Sequence, residues 1–322
     1  MNLSLSICRR FCALSLLLLL LLFGMAPPAT AIRLVTVKHL FDLADQLRQP
    51  SDVAVSADGR IYVVDGVNNR IRMFDAQGRP AGSFGKTGSG RGAFAFPLGI
   101  ALDGAGRVYV ADSGNHRIQI FTPRGGFVAA IDAPPSEKGK PADPTDVAVD
   151  DRRRRCYVVD NDNHRILVYD LNTRRLKTTY GKPGTGKRNF RYPFLMALDR
   201  EQYLYIVDVI NTRVQVLNPK GLFVSFIGGW GVEKGEFFRP KGVAIDRDNR
   251  VYVSDSYMGV IQVFDSATSE FYAAVGDAEK TAVKKFKTPV GLFIDHRNRL
   301  YVVEMFADRV GVYQIEDTPG RN

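Results

Sequence analysis

Cysteine and histidine, from which disulfide frameworks and zinc centres are built, are scarce in this sequence. It has three cysteines and four histidines among 322 residues. Cys8 and Cys12 lie at the start of the chain, which leaves Cys156 alone in a predicted strand. One remaining cysteine cannot build a disulfide framework. We expect Cys156 to be a small core residue rather than a nucleophile.

Long apolar runs are also lacking, apart from one near the N-terminus. Arg9 and Arg10 precede an apolar stretch from Phe11 to about Ala26, and an Ala-x-Ala pattern ends at Ala31. This order is typical of a signal peptide, and the stretch is shorter than the ~20 residues of a spanning helix. We predict a signal peptide at residues 1–31 and an exported chain, periplasmic or secreted after cleavage near Ala31. Retention of the leader as an anchor stays open.

One short stretch resembles a nucleotide-binding loop. Residues 181–188 read GKPGTGKR, with the spacing G-x-x-x-x-G-K. That chemistry also needs a Ser or Thr hydroxyl on Mg²⁺ and a helix after the lysine. Arg188 stands at the hydroxyl position, and Pro193 favours an extended conformation in the residue before it. We interpret the stretch as a glycine loop between strands.

Glycine loops of the same design recur along the chain and reveal an internal repeat. Four of them end in Phe, and each Phe is followed three residues later by proline. Six units, aligned on that proline, are separated by 47 or 49 residues and begin near Pro50, Pro97, Pro144, Pro193, Pro240 and Pro289. A regular period of this length indicates units that pack on their neighbours.

The first five units each contain four short runs rich in Val, Ile, Tyr and Phe, as in IYVVD (61–65). Such runs, bounded by turn formers, are typical of strands in antiparallel meanders. We predict an all-β six-bladed β-propeller of four-stranded antiparallel blades over residues 32–318, with a tail at 319–322. Because the sixth unit lacks a fourth run, the segment 32–40 is predicted to close the ring by pairing with the last blade.

Units two and three carry DSGNHRIQIF (112–121) and DNDNHRILVY (160–169). With the glycine loops and the Tyr-x-x-Asp strand, these residues resemble the NHL-repeat family of TolB-like six-bladed propellers from residue 50 to about 315. The resemblance implies a fold rather than an activity. It also implies ion pairs between the second and third strands, namely Asp65–Arg70, Asp112–Arg117, Asp160–Arg165 and Asp208–Arg213. The last two units depart from the pattern, at Met258, Gly259 and Val260 and at Glu304, Ala307 and Asp308.

The chain is basic, with a formal net charge of +10. In an antiparallel propeller the loops between units emerge on one face, together with the turns between second and third strands. We call this the loop face, and its loops carry most of the positive excess. We expect this face to attract an acidic protein, an anionic polysaccharide or a lipid surface. The alternative is that its basic side chains are ordinary solvated surface residues. Nucleic acid is not expected, because aromatic residues do not interleave with these basic residues.

The turns after the second strand change character along the chain. Units one to three have the polar turns GVN, SGN and NDN, whereas units four to six have VIN, SYM and MFA. Exposed apolar groups of this kind mark contact surfaces. The predicted partner-binding residues are Ile210, Trp230, Tyr257, Met258, Met305 and Phe306 for apolar contact, and Lys187, Arg188 and Arg191 for steering. The alternative is that the apolar side chains fold back onto the blade cores.

Two sets of residues are candidate metal ligands. His116 and His164 occupy matching positions on neighbouring units, with Asp162 nearby. A zinc site needs three or four convergent ligands, and no other motif supports one. Asp52 and Asp146 fall two residues after a repeat proline, where they should face the central channel and would suit a structural Ca²⁺.

The sequence favours a monomeric, exported scaffold that binds another envelope or secreted protein through the loop face and needs no cofactor. The alternative is a metal-dependent lyase or hydrolase, in line with the resemblance to peptidyl-hydroxyglycine lyases and calcium-dependent lactonases. Its site would lie in the central channel or at His116 and His164.

ATP and GTP are expected not to bind measurably to the chain, because the glycine loop lacks the hydroxyl and the helix that phosphate binding requires. Isothermal calorimetry checks this. The variant Arg188→Ser supplies the missing hydroxyl and should still not bind, because no helix follows. A micromolar dissociation constant for either protein would contradict the prediction.

Overall fold

The structure is a computed structural model that describes residues 32–280 and 282–316. The predicted signal peptide at 1–31 and the tail at 319–322 lie outside these residues. Within the described ranges, no helix has the length and apolar character needed to cross a membrane. The described chain consists of β-strands joined by turns and three short 3-10 turns.

Four repeats form separate four-stranded antiparallel sheets, which we call blades one to four. Blade one contains β2 (Pro50–Val55), β3 (Ile61–Asp65), β4 (Arg70–Phe74) and β5 (Pro80–Phe84). Blade two contains β6 (Pro97–Leu102), β7 (Val108–Asp112), β8 (Arg117–Phe121) and β9 (Phe127–Asp132). Blade three contains β10 (Pro144–Asp150), β11 (Arg155–Asp160), β12 (Arg165–Asp170) and β13 (Leu176–Tyr180). Blade four contains β14 (Pro193–Leu198), β15 (Leu204–Asp208), β16 (Arg213–Leu217) and β17 (Phe223–Ile227).

The last two repeats and the N-terminal strand share one nine-stranded sheet. The fifth repeat supplies β18 (Pro240–Ile245), β19 (Arg250–Asp255), β20 (Val260–Asp265) and β21 (Phe271–Asp277), with β22 (Ala282–Val283) paired to β21. The sixth repeat supplies β23 (Pro289–Ile294), β24 (Arg299–Glu304) and β25 (Arg309–Ile315). The remaining strand is β1 (Leu34–Leu43), which lies between β21 and β25.

The predicted six-bladed architecture is therefore wrong: the structure has four four-stranded blades and one nine-stranded sheet. The physical reason is that β1 uses both of its edges. It pairs antiparallel with β25, where Val37 lies opposite Ile315, and parallel with β21, where Leu34 lies opposite Ala274. The sequence indicated the partner on one edge only, and an edge left unpaired would have been a site for aggregation.

The innermost strands form a ring around a central channel. The first strand of each repeat packs on the first strand of the next, and β23 packs on β2. Apolar side chains fill the space between neighbouring sheets; Ala54 and Tyr62 of blade one, for example, pack with Ile100 and Val108 of blade two. The second strands are almost entirely buried because both of their faces are covered. This explains why they read as continuous apolar runs rather than alternating ones.

The stretch that resembles a nucleotide-binding loop joins β13 to β14. Gly181 has a backbone φ of 92° and lies against the buried ring of Phe190, where an added Cβ would lie 2.6 Å from the ring atom Cε2. Glycine is needed here for its left-handed conformation and for the close approach of the ring.

The burial of β1 predicts a contrast between two of its leucines. Leu43 is fully buried among residues of β2 and β25, whereas Leu40 is exposed. Leu43→Ala should lower the free energy of unfolding by about 2–5 kcal/mol, whereas Leu40→Ala should change it by less than about 0.5 kcal/mol. Urea denaturation followed by circular dichroism measures both. Equal effects of the two substitutions would show that β1 does not form part of the core.

Candidate binding face

A buried carboxylate ends each second strand directly beneath the loop face. In blade four, Asp208 is fully buried and accepts the backbone N–H of Arg191 at 2.7 Å. It also accepts hydrogen bonds from the amide of Asn211 at 2.7 Å and the guanidinium of Arg213 at 3.0 Å. A buried charge is stable only when its hydrogen bonds are satisfied in this way. The carboxylate thereby fixes the loop that enters the blade and the turn that leaves its second strand.

The ion pairs implied by the family resemblance are confirmed. The N–O distances are 2.7 Å for Asp65–Arg70, 2.8 Å for Asp112–Arg117, 2.7 Å for Asp160–Arg165 and 3.0 Å for Asp208–Arg213. The sixth repeat keeps the arrangement with Glu304, which lies 2.7 Å from Arg309.

The fifth repeat replaces the arginine with backbone N–H groups. Asp255 is fully buried and accepts four of them, from Phe238 (2.7 Å), Arg239 (2.9 Å), Tyr257 (3.0 Å) and Met258 (2.9 Å). Its turn therefore needs no arginine, which accounts for the departure at Val260 from the repeat pattern.

The last residue of several of these turns holds the loop that enters the next repeat. This residue has a left-handed backbone conformation, and its side chain accepts a hydrogen bond from the backbone N–H of the residue before the next repeat proline. The contacts are Asn69 with Phe96 (2.7 Å), His164 with Tyr192 (3.0 Å) and Asp308 with Gln49 (2.7 Å). The last of these joins the sixth repeat to the first.

The structure exposes most of the predicted apolar contact residues on the loop face. Trp230 is 76% exposed, Tyr257 68%, Phe306 57% and Ile210 54%. Met258 and Met305 are half-buried, so less of each side chain is exposed to a partner than the sequence predicted.

Four further exposed apolar residues on the loop face were missed: Val67, Phe96, Tyr192 and Val232. Phe96 and Tyr192 directly precede a repeat proline and have the left-handed backbone described above. Aromatic residues next to a strand usually belong to a core, so residue type alone did not indicate their exposure. Their position before proline in matching repeats was the only available hint.

The predicted steering residues lie towards the outer part of the loop face. The Lys187 ammonium lies 5.2 Å from the ring centroid of Phe223, and the Arg188 guanidinium lies 5.3 Å from that of Tyr180. Both rings belong to outermost strands. Arg191 is exposed, and its backbone N–H binds Asp208 as described above.

The histidine candidates for a metal site have other contacts. His164 accepts a hydrogen bond at Nδ1, and burial, followed by the charge of Lys140, lowers its pKa. His116 donates its Nδ1 proton to the carbonyl of Ala142 at 2.6 Å. The carboxylate of Asp162 lies 3.4 Å from the Lys140 ammonium. In the described part of the chain, no three or more His, Cys, Asp or Glu side chains are grouped to hold a metal ion.

The carboxyl groups of Asp52 and Asp146 are buried at the narrow part of the channel. Asp52 accepts the N–H of Ile100 at 3.0 Å, and Asp146 accepts that of Met196 at 2.7 Å. The strands approach so closely that a Cβ added at Gly99 would lie 2.6 Å from the Cα of Asp146.

These two carboxyls line a cavity of about 700 Å³, which extends to the turns between first and second strands. Burial raises the pKa of Asp52 to about 7, against the effect of its backbone hydrogen bonds. Burial and then the negative charge of Asp52 raise the pKa of Asp146. At least one of these groups is therefore suited to hold a proton near neutral pH.

The raised pKa of Asp52 predicts that its ionisation destabilises the fold. As the pH rises from about 4 to about 7, an unfolded Asp loses its proton while the folded one retains it, so the free energy of unfolding falls. Asp52→Asn cannot ionise, so its stability relative to the parent should increase over this interval. Asp58→Asn is the control, because a hydrogen bond from Ser56 lowers the pKa of exposed Asp58. Chemical denaturation at several pH values tests this; a difference for Asp52→Asn that does not vary with pH would contradict it.

Three segments of the chain match the sequence model of the NHL repeat: residues 47–74, 94–121 and 237–264. Each segment runs from the loop before a repeat proline into the third strand. No curated protein matches the chain.

The fold is similar to those of several solved structures. Streptogramin B lyase matches with a TM-score of 0.61 at 12% identity, over 87% of this chain and 97% of that one. An inactive variant of virginiamycin B lyase from Staphylococcus aureus, with quinupristin, gives 0.59 at 15% identity, over 83% and 80%. Hydrazine synthase from Kuenenia stuttgartiensis gives 0.58 at 12% identity, over 84% and 97%. At these identities the likeness concerns the β-propeller fold alone, and the matches to the sequence model show NHL repeats in three segments of the chain.

Proposed function

We propose that this chain is an exported scaffold that binds another envelope or secreted protein on its loop face and acts as a monomer. One observation carries the proposal. All five exposed aromatic side chains of the described residues lie on that face: Phe96, Tyr192, Trp230, Tyr257 and Phe306. Aromatic residues are enriched in the centres of protein interfaces, and an exposed apolar patch of this kind marks a contact surface.

The loop face holds these side chains on a rigid base. Tyr257 packs against Phe238 with 4.3 Å between ring centroids, and its turn is tied to the buried Asp255. Trp230 forms a strand-like bridge with the buried Phe237. Binding to ordered side chains costs little conformational entropy, so a partner would gain most of the available apolar burial.

The charge of the loop face favours an acidic partner. Arg191 and Lys187 are exposed there, and both would attract a negatively charged surface during association. An anionic polysaccharide or lipid surface would share this attraction.

A lyase or hydrolase acting in the central cavity is the second candidate, and the buried pair Asp52 and Asp146 favours it. A carboxyl with a pKa near neutral can act as a general acid or base. Two of the structural relatives are lyases by name. A metal-dependent mechanism fits less well, because the described residues include no group of three potential ligands.

Crosslinking in cells, followed by mass spectrometry, tests the scaffold role. The loop-face variant combines Ile210→Ser, Trp230→Ser, Tyr257→Ser and Phe306→Ser. The control variant combines substitutions of exposed apolar residues on outer strands and on the other face: Val128→Ser, Leu176→Ser, Leu222→Ser and Val224→Ser. A specific partner should be captured by the parent and by the control variant but not by the loop-face variant.

Circular dichroism establishes that both variants are folded. Capture of the same partner by the loop-face variant would refute the proposed surface. If neither the parent nor the control captures a specific partner, the scaffold role fails and the cavity becomes the better candidate.

A further inference from the structure

The cavity at the end of the channel opposite the loop face has apolar walls. The fifth residue after each repeat proline lies at or next to the end of the first strand and is a branched aliphatic residue in all six repeats. These residues all line the cavity: Val55, Leu102, Val149, Leu198, Ile245 and Ile294. The ring of Phe293 lines it too, where the matching residue of the other repeats is alanine. Walls and volume of this kind suit the apolar part of a small molecule.

The charged residues that line the cavity are all acidic. They are Asp52, Asp58, Asp103 and Asp146. Among the described residues that line it, none is Lys, Arg or His, although the whole chain carries a formal net charge of +10. An acidic cavity in a basic protein favours cations over anions.

Two of these four acids are buried without a positive partner. Asp103 is paired with Arg107 at 2.6 Å, and Asp58 is exposed. Asp52 and Asp146 are buried and accept hydrogen bonds from backbone N–H groups. Neither forms an ion pair with a basic side chain in the part of the chain that the structure describes. This buried pair is therefore the part of the cavity that lacks a counter-ion.

The two buried carboxyls approach one strand from its two sides. Asp52 belongs to β2 and accepts the N–H of Ile100 in β6 at 3.0 Å. Asp146 belongs to β10, and its Oδ1 lies against Gly99, the preceding residue of β6, where it would clash with an added Cβ. A group that reaches β6 at this point meets carboxyl oxygens from the blades on either side.

We propose that this cavity binds an organic primary ammonium ion, with its apolar body against the six aliphatic side chains and its ammonium group at Asp52 and Asp146. The site lies apart from the loop face and does not depend on the scaffold function. It also requires no reaction in the cavity.

An ammonium ion would offset the cost of ionising the buried pair. Burial raises the pKa of both carboxyls, and the negative charge of Asp52 adds to this effect at Asp146. An ammonium group has three N–H donors, which is enough for both carboxylates, and its charge opposes the repulsion between them. The hydrogen bonds would be charge-assisted and weakly screened, because the carboxyls are removed from water.

Isothermal calorimetry with phenylbutylammonium tests the site. The measurement is made at about pH 8, above the pKa of about 7 of Asp52 and below the value of about 10.4 for an alkyl amine. The cation should bind at least about tenfold more tightly than neutral phenylbutanol, and phenylbutanoate should not bind measurably. Methylammonium has the charge without the apolar body and should also bind at least about tenfold more weakly.

Substitutions locate the ammonium group. Asp52→Asn and Asp146→Asn should each weaken the binding of phenylbutylammonium by at least about tenfold, through loss of a charge-assisted contact. Glu201→Gln is the matched control, because Glu201 is an exposed acid in the turn between β14 and β15 that does not line the cavity. It removes the same charge and should change the affinity by less than about twofold. Circular dichroism establishes that the variants are folded, and Asp52→Asn alone decides the question if Asp146→Asn is not.

Four results would overturn the ammonium site. The first is no measurable binding of phenylbutylammonium. The second is binding of phenylbutanol or phenylbutanoate as tight as that of the cation, which would show that the carboxyls do not select for charge. The third is equally tight binding of methylammonium, which would leave no role for the apolar walls. The last is an equal effect of Asp52→Asn and Glu201→Gln, which would indicate a general attraction by the acidic turns.

Discussion

The buried carboxylate at the end of each second strand is the interaction on which the loop face depends. Asp208 and its counterparts sit in an apolar interior, where an unpaired charge would be unstable. Their hydrogen bonds come from backbone N–H groups of the entering loop and from an arginine or amide of the same blade. The cost of burying the charge is thus offset by contacts that fix two loops at once. A rigid face is the consequence, although it is built from loops and turns.

The same constraint explains how the face varies without loss of the fold. In the fifth repeat, Asp255 is satisfied by backbone N–H groups alone, so the turn residues need not supply an arginine or an asparagine. Tyr257 occupies that turn and is exposed. Because the frame is held by the carboxylate and the backbone, the side chains of the turns are available for recognition. This division of roles is a physical reason why one propeller frame can carry many binding surfaces.

Structural features that are local in sequence or that recur in each unit could be predicted from the sequence. The strands and the turns recur in each unit, and the Asp–Arg pairs join nearby residues in the first four units, so the sequence pattern indicated them. The second edge of β1 was not visible, because its parallel partner β21 lies more than two hundred residues away and no motif indicates it. Phe96 and Tyr192 were missed because exposure depends on their left-handed backbone rather than on residue type.

The loop face and the cavity differ in their electrostatics, and this bears on both candidate functions. The loop face carries the exposed charges of Lys187 and Arg191, whereas the cavity is lined by the carboxylates of Asp58 and Asp103. An anionic segment would be attracted to the loop face and repelled from the cavity. Partner binding and any acid–base chemistry would therefore occupy separate parts of the molecule. Evidence for one role on the loop face would not count against the other in the cavity.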